Sequence, residues 1–339
     1  MRFKNLDLNL LVALDALLTE RNVSRAAEKM HMTQSAMSNA LARLRQFFDD
    51  DLLAQVSRGM ELTPRAEGLK IPLRDILVRV DASVIAAPRF DPAQSDRVFR
   101  IYASDYTLAM IMPHFFRLIG PERYPIRFDF RPQTDQPQRT LESGEADLII
   151  IPSEFASPDH PSQVLFREEF VCVADKDHPR IGPELTQRQY CEEPHAVMKP
   201  MKGAVSFETR ALQEIGVERT ITATTYSFTS LPGMVIGSDR LATVHASIAR
   251  QAARLFPIQI LRLPFQIPHI ELAMQWHTYR SNDPAIIWLI ETISAGVASA
   301  NISVADDMLP SETTSHSTTP FPLSLDCGCG GPQGGPSDR

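Results

Sequence analysis

Side chains that could read DNA are concentrated between residues 33 and 46, where the pattern predicts one amphipathic helix. Thr33 is a residue type that caps helix N-termini, and apolar residues then recur at helical spacing. The apolar stripe consists of Ala36, Met37, Ala40, Leu41 and Leu44. The opposite face carries Gln34, Ser35, Ser38, Asn39 and Arg43. Hydroxyl, amide and guanidinium groups bind base edges and phosphates, so this face predicts contact with a nucleic acid.

The charge of the surrounding segment indicates the same partner. Residues 21–45 hold five basic side chains and one acidic one, whereas the whole chain has a net charge of −7. A basic surface on an acidic protein indicates a face that meets a polyanion. The alternative is an amphipathic helical hairpin packed against another element. The sequence also predicts a preceding helix with Ser24 as its N-cap and a wing at 58–61. The predicted DNA contacts are Ser24, Arg25, Thr33, Gln34, Ser35, Ser38, Asn39, Arg43 and Arg58.

A second group of polar side chains follows the first predicted strand of an α/β region. From residue 97 onward, apolar runs alternate with helical patterns, which predicts βαβ units and a mostly parallel sheet. The first run ends in Ser104, Asp105, Tyr106 and Thr107. Hydroxyl and backbone N–H groups at a helix start suit an anionic or phenolic group, and clefts at strand carboxyl ends collect ligands. The region is therefore predicted to bind a small ligand.

Little in the sequence supports catalytic, metal or redox chemistry. The chain has no Gly-rich phosphate loop, no Gly-x-Ser-x-Gly and no His-Glu-x-x-His, which argues against an enzyme and a cofactor. Its histidines lack metal-ligand spacing, and Cys327 and Cys329 are too few ligands for a zinc site. Cys172 and Cys191 are predicted to be packed thiols, with a redox switch as the alternative. No apolar run reaches the roughly 18 residues of a membrane span, so we expect a cytoplasmic protein.

Composition divides the chain into four segments. Residues 64–87 predict one long helix with a kink at Pro72, and residues 87–95, rich in proline and small side chains, predict a hinge. The last forty or so residues are rich in Ser, Thr, Gly and Pro, which predicts disorder. The predicted boundaries are 1–63 for the DNA-binding domain, 64–88 for the linker helix, 89–297 for the ligand-binding domain and 298–339 for the tail.

The N-terminal part resembles the winged helix-turn-helix of LysR-type transcriptional regulators. The residues that carry the resemblance are Leu10, Leu11, Leu14, Leu17, Leu18, Ala26, Ala27, Thr33, Gln34, Ser38, Leu44, Leu62, Thr63 and Pro64. Residues 1–24, and the Trp-His…Asp-Pro…Trp pattern of residues 275–288, resemble the NodD/NahR subgroup of aromatic-responsive activators. The resemblance implies a winged helix-turn-helix, a long dimerisation helix and an effector domain with two lobes, like the periplasmic binding proteins. Lobe I would be 95–166 plus 269–297, and lobe II would be 167–268.

The resemblance also implies a site and a function. It places the inducer near Tyr226, Phe228 and Thr229, across the cleft from residues 104–107, and adds His195, Gln275 and Trp276 as candidates. Tyr226 stands where salicylate-responsive members have His. The implied inducer is a small aromatic: a phenol, a chlorinated aromatic, a salicylate-like acid or a flavonoid. The implied partners are promoter DNA, RNA polymerase and further copies of the chain in a homodimer or homotetramer.

The predicted function is therefore an activator of a catabolic or symbiotic operon. Two alternatives stay open from the sequence. One is a redox-sensing regulator of the same family that uses Cys172 and Cys191. The other is a solute-binding or enzymatic α/β protein with an unrelated N-terminal bundle.

Overall fold

A computed structural model describes residues 6–56, 59–81, 89–120, 124–200 and 205–300. The predicted wing residue Arg58, part of the predicted hinge, the tail and its two cysteines lie outside the described residues. Among the described helices none combines the length and the hydropathy that crossing a membrane requires. The elements of the N-terminal part are α1 (Leu8–Glu20), α2 (Val23–Lys29), α3 (Gln34–Phe48), β1 (Leu53–Val56), β2 (Gly59–Leu62) and α4 (Pro64–Val80).

The first three helices surround one apolar core, and each begins at a polar cap. Leu14, Leu17 and Leu44 are completely buried there. Thr33 caps α3, as the sequence predicts, because its Oγ1 accepts a hydrogen bond from the backbone N–H of Ala36 at 3.2 Å. The strands β1 and β2 form the antiparallel hairpin of the wing, in which Val56 pairs with Gly59.

The cap of α2 corrects the sequence prediction. Asn22, with an extended backbone, caps this helix, since its side-chain oxygen accepts a hydrogen bond from the Arg25 N–H at 3.0 Å. Ser24 lies two residues after this cap and is the second residue of the helix. Asparagine and serine are about equally good N-caps, so residue type alone did not distinguish the two positions.

The linker helix α4 starts at Pro64, is capped by Thr63 and continues past Pro72 to Val80. Proline at the first helical position is favoured because its missing N–H would be unpaired there in any case. The described part of the helix therefore covers 64–80 of the predicted 64–87, and the kink at Pro72 stays a prediction.

The rest of the described chain forms two five-stranded sheets and the helices that connect their strands. The first sheet has the order β4 (Arg127–Arg131), β3 (Val98–Tyr102), β5 (Leu148–Pro152), β12 (Ile270–Gln275) and β6 (Ser162–Glu168). The second sheet has the order β11 (Ile258–Leu261), β7 (Phe170–Asp175), β10 (Leu241–His245), β8 (Pro194–Met198) and β9 (Thr220–Thr225). The helices between them are α5 (Asp105–Ile119), α6 (Pro137–Glu142), α7 (Gln187–Glu192), α8 (Phe207–Glu214), α9 (Ala246–Ala252) and α10 (Pro284–Ala300).

The prediction of a mostly parallel sheet is wrong, because both sheets are mixed. β3 runs parallel to β4 and β5, and β8 runs parallel to β9 and β10. In contrast, β12 runs antiparallel to β5 and β6, and β7 runs antiparallel to β10 and β11. The antiparallel strands are those at which the chain passes from one sheet to the other. Local apolar patterns do not record that reversal.

The chain crosses between the two sheets twice, which produces the two lobes that the resemblance implies. β6 ends at Glu168 and β7 begins at Phe170 in the other sheet. The first crossing thus lies about two residues beyond the predicted switch at 166/167. The chain returns between β11 and β12, and α10 then packs on α5 of lobe I. A Cβ built on Gly296 of α10 would lie only 3.1 Å from the Phe115 backbone nitrogen of α5, so a larger residue would separate these helices.

Candidate functional site

The polar face of α3 is open to solvent in the described structure. Gln34, Ser35, Ser38, Asn39 and Arg43 are all exposed. The opposite face is buried, with Met37 and Leu44 at 0 % exposure. Since the apolar stripe fixes the helix on the core, the five polar side chains form one continuous outward surface. A helix presented in this way can enter the major groove of B-DNA.

The predicted DNA contacts on α2 are partly engaged within the domain. Ser24 is half-buried, and the exposed Arg25 donates from its Nη2 to the Glu20 carbonyl oxygen at 2.8 Å. The neighbouring Lys29 forms an ion pair with the Glu20 carboxylate at 3.0 Å. Both cations therefore lie near the end of α1.

Arg43 and Arg45 of α3 differ in how firmly contacts within the protein hold their guanidinium groups. Arg43 forms an ion pair with Asp7 at 3.3 Å, but both side chains are about half exposed. Exposed pairs of this kind contribute about 0–1 kcal/mol, so Arg43 can exchange Asp7 for a phosphate or a base. Arg45 instead donates to the carbonyl oxygens of Asp51 and Leu53 at 2.7 and 2.8 Å. Arg45 therefore ties α3 to the first strand of the wing, a role that its place in the basic segment did not predict.

Asp105 at the start of α5 connects lobe I to lobe II. Its carboxylate accepts hydrogen bonds from the Ser227 hydroxyl at 2.7 Å and the Phe228 N–H at 3.2 Å. It also accepts from the Thr229 N–H at 2.9 Å and the Thr229 hydroxyl at 2.8 Å. Burial raises the pKa of Asp105, but these hydrogen bonds to the charged form outweigh it, and the pKa falls below its ordinary value. Residues 227–229 therefore form a site with hydrogen-bond donors for one anionic group, here called the cradle. The Asp105 carboxylate occupies this site.

Ser104 and Thr107 satisfy each other at the same helix end. Ser104 caps α5 by accepting from the Thr107 N–H at 3.2 Å, and the two hydroxyl oxygens lie 2.9 Å apart. Thr107 is completely buried. The Phe228 ring across the boundary is half-buried, whereas Tyr226 is 82 % exposed. The structure therefore brings Ser104, Asp105 and the segment 227–229 into one region, with Tyr226 in solvent beside it.

Tyr106 belongs to a buried cluster at the crossing between the lobes. Its hydroxyl donates to Glu168 at 2.9 Å, and its ring stacks on His245 of lobe II with 3.8 Å between centroids. Burial raises the pKa of Glu168 and lowers the pKa of His245 to about 3, so His245 is neutral near pH 7. Tyr106 therefore packs one lobe against the other, and its hydroxyl is already used.

The remaining effector candidates make contacts inside their own lobes. His195 is fully buried on β8 of the second sheet, where its Nε2 lies 2.6 Å from the Tyr190 carbonyl oxygen and burial lowers its pKa to about 4. The amide of Gln275 binds the backbone of Ser157 and His160 at 2.7–3.2 Å. Trp276 donates to the Ser281 hydroxyl at 3.2 Å. None of these described contacts reaches Asp105 or residues 227–229.

A second polar contact between the lobes was missed from the sequence. Arg210 of α8 forms an ion pair with Glu154, which follows β5, and its guanidinium lies 4.7 Å from the Phe155 ring centroid. A cavity of about 250 Å³ lies beside this pair and is also lined by Glu214 and Glu271. A larger cavity of about 470 Å³ lies in lobe I between α6 and Ser157. The periodicity of α8 predicts only an amphipathic helix, so no sequence pattern identified Arg210 as a contact between the lobes.

The cysteines and histidines do not assemble into a metal or redox centre in the described part of the chain. No group of three His, Cys, Asp or Glu residues there could hold a metal ion. Cys172 is completely buried, which raises the pKa of its thiol to about 12, and neither Cys172 nor Cys191 is in a disulfide. The thiolate is the reactive form, so Cys172 is a packed thiol.

Comparison with known proteins agrees with the two parts of the fold. Residues 8–67 match the family model "Bacterial regulatory helix-turn-helix protein, lysR family", and residues 92–298 match "LysR substrate binding domain". Nodulation protein D 3 of Mesorhizobium japonicum is 39% identical over 291 residues, which are 85% of this chain and 96% of that protein. Nodulation protein D 1 of Sinorhizobium fredii is 39% identical over 292 residues, 86% of this chain and 91% of that protein.

Solved structures show the same architecture. A probable transcriptional regulator from Pseudomonas aeruginosa is 29% identical, with a TM-score of 0.62 and coverage of 86% of this chain and 97% of that one. Full-length OxyR from the same organism has a TM-score of 0.68 at 18% identity, over 88% of this chain and 96% of that one. At that identity the likeness concerns the fold alone.

The chain thus combines a helix-turn-helix that exposes a polar helix, a linker helix and a two-lobed α/β domain. This is the architecture of a transcriptional regulator that carries its DNA-binding and ligand-binding domains in one chain. The chain belongs to the LysR family of transcriptional regulators. The family predicted from the sequence, its fold class and the function as a DNA-binding regulator are therefore confirmed.

Proposed function

We propose that the protein binds promoter DNA through the exposed face of α3 and binds a small aromatic inducer between its two lobes. In this proposal Gln34, Ser38, Asn39 and Arg43 read the major groove. The basic groups of α2 meet the flanking phosphates. Because promoter DNA is the partner in this proposal, we expect the protein to act in the cytoplasm.

The observation that carries the inducer site is the binding of the Asp105 carboxylate by residues 227–229. Four donors from lobe II converge on one anionic group of lobe I. A carboxylate or phenolate of an inducer carries the same charge and also accepts hydrogen bonds, so it would compete with Asp105 for those donors. The half-buried Phe228 ring beside them offers a face for a flat ring. Displacement of Asp105 would change the contact between the lobes, and the ligand would thereby shift a two-state equilibrium.

This geometry and the relatives support one proposed class of inducer. An aromatic that carries an ionised oxygen suits the cradle: a phenol, a salicylate-like or chlorinated aromatic acid, or a flavonoid. The relatives named nodulation proteins favour control of a symbiotic operon over a catabolic one. We further propose activation through contact with RNA polymerase.

Ligand binding to three variants tests the site. The probes are salicylate, phenol, a chlorobenzoate and a flavone, titrated against the full-length protein with tryptophan fluorescence as the signal. Asp105→Asn removes the internal competitor, so an anionic probe should bind several-fold tighter. Thr229→Val removes a donor, so the same probe should bind more weakly. Asp129→Asn is the matched control, because that half-exposed carboxylate pairs with Arg131 within the edge strand of lobe I.

The outcomes separate the alternatives. Opposite shifts in Asp105→Asn and Thr229→Val support the cleft. Equal affinity of wild type and both variants for every probe that binds would place the ligand elsewhere. Absence of binding by all four probes would contradict an aromatic inducer of these classes.

The proposal includes a dimer or tetramer as the working form. Ile71 and Ile76 of α4 are each 45 % exposed, and Leu8 of α1 is 44 % exposed. A second copy of α4 would cover these exposed apolar side chains and remove them from water. A dimer also matches DNA recognition by two helix-turn-helix units.

A further inference from the structure

Residues 277–283, which belong to the Trp-His…Asp-Pro…Trp pattern, contact the linker helix α4. The Arg79 guanidinium lies 3.9 Å from the centroid of the Tyr279 ring. Arg280 binds Asp81, the C-cap of α4, at 3.2 Å. Asp75 lies one helical turn before Arg79, and its carboxylate is 3.9 Å from the His277 Nε2. The contacts therefore lie along the second half of α4, with Asp75 and Arg79 on one face and Asp81 at the C-terminal end.

Two of the three contacts carry the attraction. Burial lowers the pKa of His277 to about 4, so His277 is neutral near pH 7 and its distance to Asp75 is too long for a hydrogen bond. The ion pair of Arg280 with Asp81 and the cation–π contact of Arg79 with Tyr279 remain. Both join the linker helix to lobe I.

Arg280 is held rigidly on the side of lobe I. It is 8 % exposed, and its Nη1 lies 3.4 Å from the carboxylates of Asp147 and Asp283. Arg97 also binds Asp283, at 2.8 Å. These buried charges fix the guanidinium in place, and its Nη2 remains directed at Asp81. The end of α4 is therefore tied to a preformed network in the effector domain.

A second connection lies on the neighbouring turn of α4. Arg74 binds Asp15 and Thr19 of α1 at 2.9 and 2.7 Å, and its Nη1 binds Glu145 of lobe I at 2.6 Å. The loop of Glu145 approaches so closely that a Cβ at Gly144 would lie 2.7 Å from Val78 of α4. Gly144 has a φ of +65°, which also favours glycine. One guanidinium thus joins the DNA-binding domain, the linker helix and lobe I.

We propose that residues 277–283 are a docking site for the linker helix of the same chain, and that this docking fixes the orientation of the helix-turn-helix relative to lobe I. The residues of this subgroup pattern act in this assignment at the linker, and not as ligand contacts. The effect on DNA rests on the proposed function, since it requires α3 to read promoter DNA. The docking itself does not depend on it.

Amide hydrogen exchange of the full-length protein tests the docking. The helix-side variant is Arg79→Gln/Asp81→Asn, which removes both strong contacts without changing net charge. The lobe-side variant is Tyr279→Leu. Arg280 is left intact, because its loss would remove one of the two guanidinium groups, Arg97 and Arg280, that pair with the buried carboxylates of Asp147 and Asp283. The control is Glu67→Gln/Lys70→Gln, a charge-neutral change of an ion pair in the first half of the same helix, where Glu67 also lies near Arg21 of the N-terminal part.

Docking predicts a reciprocal effect. The helix-side variant should speed exchange several-fold in 277–283, and Tyr279→Leu should speed it in 74–81, whereas the control changes neither segment. If each substitution affects only the element that carries it, or nothing, the docking is overturned.

Selection of duplexes from a random pool tests the orientation. Wild type should select two half-sites at one spacing. The helix-side variant should select the same half-sites over a wider range of spacings, because its helix-turn-helix is no longer held. Unchanged spacing in the variant would show that docking does not orient the reading domain. If wild type selects no sequence, the proposed DNA binding fails, and the exchange experiment still decides the docking.

Discussion

Asp105 of lobe I accepts two hydrogen bonds from Thr229 of lobe II, one from the backbone N–H at 2.9 Å and one from the hydroxyl at 2.8 Å. The two residues are separated by 124 positions in the chain. A charged acceptor strengthens each hydrogen bond, so this contact between the lobes is stronger while the Asp105 carboxyl is ionised. The contact should weaken when acid protonates Asp105.

The first prediction concerns pH. Because the pKa of Asp105 is lowered in the folded protein, its stabilising contribution is present above the unfolded pKa of about 3.9 and is lost as the pH falls through the lower folded pKa. Asp105→Asn should therefore be less stable than wild type near neutral pH, by about 1 kcal/mol after allowance for partial exposure. The difference should shrink below about pH 4. Thermal unfolding of both proteins across this pH range measures it.

Asp129→Asn is the control for this series. Its carboxylate pairs with Arg131 at 2.7 Å within one strand, and both side chains are about 40 % exposed. A stability difference between wild type and Asp105→Asn that stays constant down to low pH would contradict the role of the carboxylate charge.

The helices were predictable from the sequence, since their signals are local. Thr33 as cap and the stripe from Met37 to Leu44 lie within one stretch of chain, and the structure begins α3 at the predicted place. The alternation of strands and helices likewise identified the α/β region. Periodicity records the burial of a face, and the described structure buries those faces.

Relations between distant segments could not be predicted in the same way. β12 lies antiparallel to β5 after the chain has passed through the other lobe, and no local pattern encodes that path. The cradle around Asp105 depends on how the lobes meet. The resemblance places His195 at the site, but β8 has a neighbouring strand on each side, and the ring is completely buried against Tyr190. Residue type alone does not reveal which face of such a strand a ligand can reach.

The second prediction concerns the redox alternative. With a pKa raised to about 12 by burial, the Cys172 thiol is ionised to about one part in 10⁵ near neutral pH. Alkylation of the native protein should leave Cys172 unmodified, and peroxide should form no disulfide between Cys172 and Cys191. Peptide mass mapping after labelling measures both. Labelling of Cys172 at the rate of a denatured sample, or a Cys172–Cys191 disulfide after peroxide, would favour the redox-sensing regulator.

The third prediction concerns assembly. Ile71→Glu and Ile76→Glu each place a charge on the apolar surface of α4, where both residues are 45 % exposed in one chain. If a second copy covers them, each substitution should weaken association by about 1–3 kcal/mol. Sedimentation of the full-length protein at micromolar concentration measures the change. Leu255→Glu, at a residue 75 % exposed in lobe II, is the control. Association by both α4 variants as strong as that of wild type would remove α4 from the interface.

The fourth prediction concerns DNA reading by Arg43. Arg43→Ala should weaken binding to selected duplexes by about 1–3 kcal/mol, with the loss confined to sites that carry one particular base pair, if Arg43 reads a guanine. A phosphate contact would instead give the same loss on every sequence. Gel shift on a set of single-base variants of the selected duplex separates the two results. Arg188→Ala, at an 84 % exposed arginine of lobe II, should bind like wild type.

Asp7→Asn tests the same assignment from the other side. Asparagine keeps the cap of α1, where Asp7 accepts from the Leu10 N–H at 2.9 Å, but removes the charge that pairs with Arg43 at 3.3 Å. Arg43 then gives up less on binding DNA, and the duplex should bind as tightly as to wild type or more tightly. The double variant Asp7→Asn/Arg43→Ala should match Arg43→Ala alone, because the substituted Asp7 acts only through Arg43. Wild-type affinity in Arg43→Ala, or weaker binding in Asp7→Asn with its helix content unchanged, would contradict this role for the pair.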